Sequence, residues 1–452
     1  MSVSKKSIHG EWSSRFTFIL AATGSAVGLG NIWKFPYITG ENGGGAFVLV
    51  YLLCVLAIGI PIMIAEIMMG RRGRQSPINT MQFLAEEASA DKRWHFLGWM
   101  GVLAGFLILS YYSVIAGWAL SYVLKAFLGS FSGGDSEHIK SLFDQFIASP
   151  WQLIFWHTVF MVATMVIVAR GVSGGLEKAV RFLMPALFVI LLLLVGYAMT
   201  TGFYEQGLEF MFDPDFSKID GDAILTAMGH AFFTLSLGMG AIMVYGSYLP
   251  KHVSVAQTAL YIAGADTIVA LLAGMAIFPI VFANGLEPGS GPGLIFQTLP
   301  IAFGNMTAGW LFGVMFFVLL VFAALSSSIS LIEPAVAWLV ENKDMSRRTA
   351  SIWSGIVTWL VGVAVAFSFN IWSEITVFDK SVFDLLDYLT ANLMLPIGGF
   401  CIAVFSGWVM KKEHSQEELE LFGLTYDLWH YLVKFIAPAA VFIVFLHVLG
   451  VF

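Results

Sequence analysis

The sequence predicts an all-α integral membrane protein: eleven transmembrane helices arranged as a 5+5 inverted repeat, with helices 1 and 6 broken at the midplane. Three observations carry this. Of 452 residues, 58% are hydrophobic and only 12% charged, about half the charge fraction of a soluble domain. Apolar runs of about 20 residues, the length that crosses a bilayer, recur along the whole chain. Two of those runs, at corresponding places in the two halves, are interrupted by glycines.

The predicted spans are 13–39, 43–70, 96–128, 151–169, 176–201, 222–249, 256–283, 308–341, 348–369, 382–410 and 428–450. They divide into a first five-helix repeat (12–201), an inverted second repeat (222–411) and an additional helix (427–452), all within one transmembrane domain. The segment from Gly285 to Asn305 holds too many glycines and prolines to be a span and is expected as an outer loop with a short helix near Leu294–Thr298.

Lys and Arg set the orientation. With the N-terminus inside, one side collects Lys5, Lys6, Arg71, Arg72, Arg74, Arg170, Arg181, Lys251, Arg347, Arg348, Lys411 and Lys412, among others. The other side holds only Lys34, Lys125, Lys140, Lys218 and Lys380, beside acids such as Asp135, Asp213 and Asp222. A cytoplasmic N-terminus, an outside C-terminus and a multi-pass location in the cell membrane follow. Lys5 and Lys6 before an apolar run raise a cleavable signal peptide. The run ends in Asn31 and Lys34 without a small-residue cleavage site, so it is expected to stay as the first span. The net charge of −7 is spread over short loops and does not point to nucleic acid. Cys54 and Cys401 lie in apolar runs and offer neither a disulfide framework nor a metal motif.

In span 1 the break is Gly24-Ser25-Ala26-Val27-Gly28-Leu29-Gly30-Asn31. Its three glycines each weaken a helix by about 1 kcal/mol relative to Ala. In span 6 the break is Phe233-Thr234-Leu235-Ser236-Leu237-Gly238-Met239-Gly240, whose last three residues echo Gly28-Leu29-Gly30. GxG is the wrong spacing for small-residue helix packing. Interrupted segments at matching positions point instead to a transporter with its site at the repeat interface. A break leaves free amides on one new end and free carbonyls on the other. The amides near Leu29-Gly30 suit a carboxylate, and the carbonyls near Ser25-Ala26 suit cations.

The run from Ala22 to Tyr37 with Glu41-Asn42-Gly43-Gly44-Gly45-Ala46-Phe47, the stretch Phe232–Gly240 and the stretch Ala323–Ser328 resemble the signatures of the neurotransmitter:sodium symporter family, over nearly the whole chain. The eleven-span count and Met239 are most similar to bacterial members that carry many hydrophobic amino acids. The resemblance implies a leucine-transporter-type fold and sodium-coupled symport by alternating access. It implies that the substrate carboxylate takes the Leu29 and Gly30 amides and the Tyr112 hydroxyl. The ammonium takes carbonyls of Ala26, Phe233 and Thr234, with Ser236 nearby. The side-chain pocket is then Ile108, Tyr112, Phe233, Met239, Ser327 and Leu331. Met239 stands where leucine-selective members have Phe, and a flexible Met widens the range from aliphatic to aromatic.

Two sodium sites follow from the same resemblance. The first uses the Ala26 carbonyl, Asn31, Thr234, Asp266 and the substrate carboxylate. The second uses carbonyls of Gly24, Val27 and Ala323 with hydroxyls of Ser326 and Ser327. Asp266 is also informative by itself, since an acid inside an apolar run is expensive in a membrane. Chloride-dependent relatives have Asn there, so Asp266 is expected to supply a fixed negative charge and to remove any need for chloride. Glu66, a second buried acid, is expected to brace the broken segments.

An outer gate is implied between Lys34 and Asp387. The family usually has Arg at Lys34, and Lys lacks the planar fork, so this gate is expected to be weaker or wetter. His230 stands at the outer gate where relatives carry Gln. Two readings of it stay open: a titratable gate residue, or a neutral His in a structural hydrogen bond. The inner gate is implied at Trp12, Ser247, Tyr248 and Glu341. His9 occupies the place of a basic residue, so the ion pair to Glu341 would fall to Lys5 or Lys6. Gly175 followed by nine residues and Pro185 resembles a helix-unwinding motif in span 5.

Other functions are weighed on the same residues. A channel needs a continuous polar pore, whereas here the polar residues form one cluster between gates. A sensor without transport, or a carrier of another small zwitterion such as proline, would share the site. A membrane enzyme lacks a metal-ligand spacing or a nucleophile–base pair. Expected partners are an amino acid, sodium and lipid. Oligomeric state is not legible.

Overall fold

The structure is a computed structural model, and it describes residues 8–133, 136–288 and 293–448. Lys5, Lys6 and Asp135 lie outside these residues. The described chain is helical almost throughout, with a single isolated bridge between Val377 and Lys380.

Eight helices among the described residues are long and apolar enough to cross a membrane. They are Gly45–Gly73, Lys92–Phe127, Pro150–Ala169, Val172–Ala198, Val255–Ala283, Gly309–Lys343, Arg347–Ser368 and Val382–Val409, which correspond to predicted spans 2, 3, 4, 5, 7, 8, 9 and 10. Arg15–Ala26 and Gly30–Glu41 pass together as a pair bent by 50°, which is predicted span 1. Predicted span 6 is the pair Gly221–Thr234 and Ala241–Ser247, each too short to cross alone. Predicted span 11 starts earlier than expected, at Leu424, and runs as consecutive helical segments to Val448.

The outer loop before span 8 also differs. Its helix runs from Leu294 through Asn305 rather than stopping at Thr298, because Pro300 sits in the first turn of the continuation, where its missing N–H costs nothing. Connecting helices at Pro77–Glu87, Ser136–Ile147, Tyr204–Phe212 and Lys412–Leu419 are further additions. They are short and of mixed composition, so a search for long apolar runs passes over them. Ser136–Ile147 nonetheless buries Ile139 and Phe146 against the bundle.

Spans 3 and 8 pack along their length, spans 4 and 9 pack on each other and on span 3, and the inner half of span 6 packs on span 2. Close approach is built with small residues at the broken segments. A Cβ on Gly105 of span 3 would stand 2.8 Å from the Leu331 carbonyl, and one on Gly246 of span 6 would stand 2.7 Å from the Ile67 carbonyl. Without lipid–helix hydrophobic drive, such backbone contact is how membrane helices associate. The two breaks lie against spans 3 and 8: a Cβ on Gly101 of span 3 would stand 3.2 Å from Gly240 N, and one on Gly28 would stand 2.6 Å from Ser327 Oγ.

Candidate functional site

Span 1 stops being helical after Ala26. Val27 turns extended (φ −68°, ψ 106°) while its N–H closes the last turn onto Thr23 O at 2.6 Å. The amides freed beyond that point find partners: Gly28 N donates to Asn31 Oδ1 at 3.0 Å, and Leu29 N donates to the Tyr112 hydroxyl at 3.2 Å. Gly28 has no room for a side chain. A Cβ there would lie 2.6 Å from Ser327 Oγ and 2.8 Å from Tyr112 Oη. Span 6 is interrupted from Leu235 to Gly240, with Ser236 (φ 55°), Gly238 (φ 80°) and Gly240 (φ 75°) left-handed. Ser236 reaches across to donate to Ser25 O at 2.9 Å, so the two breaks touch. Glu66 holds the span 6 break: its carboxylate accepts from Gly238 N at 2.6 Å and is fully buried.

Two oxygen clusters flank the breaks. In the first, Asp266 is fully buried and receives Asn31 Nδ2 at 2.8 Å and the Thr234 hydroxyl at 3.0 and 3.2 Å. Ala26 is buried at the end of the first half-helix. In the second, the Ser327 hydroxyl stands 3.3, 3.2 and 3.2 Å from the carbonyls of Gly24, Ser25 and Val27. One O–H serves one acceptor at a time, so these carbonyls crowd a space with more acceptors than donors. Ser326 turns back to donate to Ala323 O at 3.0 Å and Phe322 O at 3.1 Å in its own helix. Its Cβ sits 3.1 Å from where a side chain on Gly24 would begin, so Gly24, Val27, Ala323, Ser326 and Ser327 converge. Oxygen-only sets of this kind suit hard cations. No grouping of three His, Cys, Asp or Glu side chains able to hold a metal occurs among the described residues.

A cavity of about 180 Å³ opens on one side of the breaks, lined by Leu29, Gly30, Tyr112, Phe233, Lys34 and Asp387, among others. Ile108, Met239 and Leu331 are buried in the core, as is Ser236. Lys34 and Asp387 face this cavity without forming a direct ion pair. The Lys34 ammonium instead lies 4.9 Å from the centre of the Phe233 ring. A point charge on a flexible stem has no fork to hold a carboxylate. His230 is buried against Phe35 and Tyr51, neither of its ring nitrogens is hydrogen-bonded to another described residue, and it lines a separate cavity of about 300 Å³ with Lys34, Asp222, Thr226 and Asn392.

The opposite side is closed. Trp12 is 2% exposed, donates its ring N–H to Tyr245 O at 3.2 Å and its backbone N–H to Tyr248 O at 3.1 Å. Tyr248 donates to Glu333 at 2.7 Å, and Glu333 pairs with Arg347. His9 itself reaches Glu341, Nε2 to Oε1 at 3.0 Å; Lys5 and Lys6 lie outside the described residues. Glu341 also accepts from Ser76 N and Asn79, which pins the chain that follows span 2 to span 8. Ser247 turns its hydroxyl into its own helix and offers its carbonyl to Arg74 at 3.4 Å.

Sequence reasoning missed Glu333, Arg347, Arg74 and Glu177. The signal for Glu333 was present: an acid within Ser330-Leu331-Ile332-Glu333-Pro334 is as costly in a membrane as Asp266. Glu177 is paired with Arg181 and receives the Ser13 hydroxyl, which ties the start of span 1 to span 5.

Residues 9–139 and 131–452 match the sodium:neurotransmitter symporter family. An uncharacterized sodium-dependent transporter of Bacillus subtilis is 39% identical over 448 residues, covering 98% of each chain. The human sodium- and chloride-dependent GABA transporter 2 is 24% identical, covering 95% of this chain and 78% of its own. The crystal structure of MhsT in complex with L-phenylalanine superposes with a TM-score of 0.90 at 45% identity, over 97% of this chain and 99% of that one. The paired breaks, the oxygen clusters between them and this agreement along the whole length place the chain in the sodium:neurotransmitter symporter family, with the leucine-transporter-type fold.

Proposed function

We propose that this chain imports hydrophobic L-amino acids, aliphatic and aromatic, by symport with sodium and alternating access, using two sodium sites and no chloride. The observation that carries this is the meeting of two broken helices, with amides and Tyr112 on the cavity side and two oxygen clusters beside them. The substrate carboxylate takes the Leu29 and Gly30 amides and the Tyr112 hydroxyl; the Leu29–Tyr112 bond opens to admit it. The ammonium takes Ala26, Phe233 and Thr234 carbonyls. Asn31, Thr234 and Asp266 with Ala26 hold one sodium, which shares the substrate carboxylate. Each then strengthens the other's binding by the same factor. Gly24, Val27, Ala323, Ser326 and Ser327 hold the second. Phe233, under Lys34 and Asp387, lies across the outer path, and Trp12 with Tyr248 and Glu341 closes the inner one.

The apolar character of Ile108, Met239 and Leu331 supports a hydrophobic substrate range, and the similar MhsT was crystallised with L-phenylalanine. The buried Asp266 carboxylate supports chloride independence, because a second anion beside it would be repelled. The repeats are 12–201 and 222–411, followed by the helix 427–452. The N-terminus is cytoplasmic and the C-terminus outside.

The test is uptake of labelled leucine, valine, tyrosine and tryptophan into proteoliposomes under an inward sodium gradient, with chloride replaced by gluconate. Accumulation of these amino acids in gluconate is expected. No uptake of any of the four overturns the substrate class, and uptake abolished by gluconate overturns the role given to Asp266.

A further inference from the structure

A groove of about 400 Å³ runs between spans 4 and 9 on the outside of the bundle, well away from the two breaks. Its walls are Met161, Val162, Met165, Ile352 and Ile356, and its floor is Gly355. The floor is low because Gly355 has no side chain: a Cβ there would lie 2.6 Å from Met165 Cγ, so Met165 sinks onto the helix. The polar groups along the groove are already satisfied. Thr158 donates to Ile154 O at 2.7 Å and accepts the ring N–H of Trp359 at 2.9 Å. The interior therefore asks for nothing but hydrocarbon. Val162 and Ile352 are 56% and 46% exposed, so the walls face the bilayer rather than another element of the chain.

The mouth is different. Arg348 lines the end of the groove where span 4 finishes and span 9 begins, and Arg170 follows directly after the groove residue Ala169. Their neighbour Arg347 is turned inward: it pairs with the buried Glu333 and donates to Val168 O at 2.9 Å. Arg348 and Arg170 are exposed and make no side-chain hydrogen bond or ion pair among the described residues. Two uncommitted guanidiniums thus stand at the end of an apolar slot, at the level where helix ends meet lipid headgroups.

We propose that this groove is a binding site for one anionic phospholipid, with an acyl chain laid between spans 4 and 9 and its phosphate held by Arg348 and Arg170. Guanidinium forks match phosphate oxygens in two-point contacts, and a basic residue near an anionic headgroup adds about fivefold in binding. Charge argues against a second copy of the chain as the occupant. A two-fold contact places the same patch on both partners, which brings two pairs of like charges to one interface.

The full-length protein, purified and exchanged into vesicles of palmitoyl-oleoyl phosphatidylglycerol mixed with phosphatidylcholine, is examined by native mass spectrometry for retained lipid. The wild type is expected to keep one phosphatidylglycerol with roughly 25-fold preference over phosphatidylcholine, two arginines each contributing about fivefold. R170Q/R348Q is expected to lose that preference and R170K/R348K to keep most of it. I352W, which fills the groove from an exposed position, is expected to lower retention of both lipids. A preference unchanged in R170Q/R348Q, or equal retention in I352W, overturns the proposal. So does disulfide dimerisation of V162C in phosphatidylglycerol-free bilayers with no lipid retained, since the groove would then be covered by a second copy.

Discussion

Replacing Gly28 by Ala tests the site where the geometry is tightest. The new Cβ would start 2.6 Å from Ser327 Oγ and 2.8 Å from Tyr112 Oη, against an ordinary contact of 3.4 Å or more. Ser327 must retreat by about 0.8 Å and Tyr112 by about 0.6 Å. The Ser327 hydroxyl stands 3.2–3.3 Å from the Gly24, Ser25 and Val27 carbonyls, so such a shift takes it out of hydrogen-bond reach of them. Tyr112 would leave the Leu29 amide, 3.2 Å away now. Overpacking of this kind costs about 1–3 kcal/mol, which as a loss of affinity is about 5- to 150-fold. Half-saturating sodium and the substrate Kd, measured by scintillation proximity on purified protein, are both expected to rise at least about fivefold. Gly264→Ala is the control, because a Cβ there meets nothing within 4 Å. G28A/S327A removes one of the two clashing partners, so its losses are expected to be smaller than the sum of the singles. A Gly28→Ala protein that binds sodium and substrate within threefold of wild type would refute the assignment of Ser327 and Tyr112 to the site.

Three further outcomes follow from the same structure. Lys34→Arg gives the outer gate a fork that can bridge to Asp387 across the cavity they share; substrate dissociation toward the outside is expected to slow several-fold, and an unchanged off-rate would remove Asp387 from the gate. Glu333→Gln leaves Arg347 buried without its carboxylate and is expected to destabilise the protein by about 3–5 kcal/mol. A large drop in melting temperature, partly recovered by Glu333→Gln with Arg347→Met, checks it. Pro185→Ala restores a backbone hydrogen bond in span 5, whose inner end is already loosened into a π-helical turn at Val172–Leu176. Sodium release inward is expected to slow; equal release rates in wild type and variant would detach this helix from the transport cycle.

Much of the site was legible because the membrane makes polar residues costly. Asp266 and Glu66 stood out against their apolar neighbours, and both are buried against the broken segments, joined to Asn31 and Thr234 and to the Gly238 amide respectively. The glycine clusters marked both breaks, since helix cannot be interrupted in hydrocarbon without partners for its backbone. Glu333 carried the same signal but lay outside the recognised motifs. His9 shows the opposite limit: its residue type argued against the inner pair, while its position puts the ring against Glu341.

The sequence by itself determined the class, the places where helices break and the residue types that can hold a carboxylate and cations, because these depend on local composition and on the absence of solvent hydrogen bonds. Only the tertiary structure decided which partners those groups take. Ser327 is 300 residues from Val27 and still shares its carbonyl. Lys34 settles over Phe233 rather than onto Asp387, and Arg347 is consumed by Glu333 while Arg348 keeps its guanidinium uncommitted among the described residues. Such choices rest on angstrom-scale distances between helices that the chain order does not encode locally, and they set which charges are paired and which remain for a ligand.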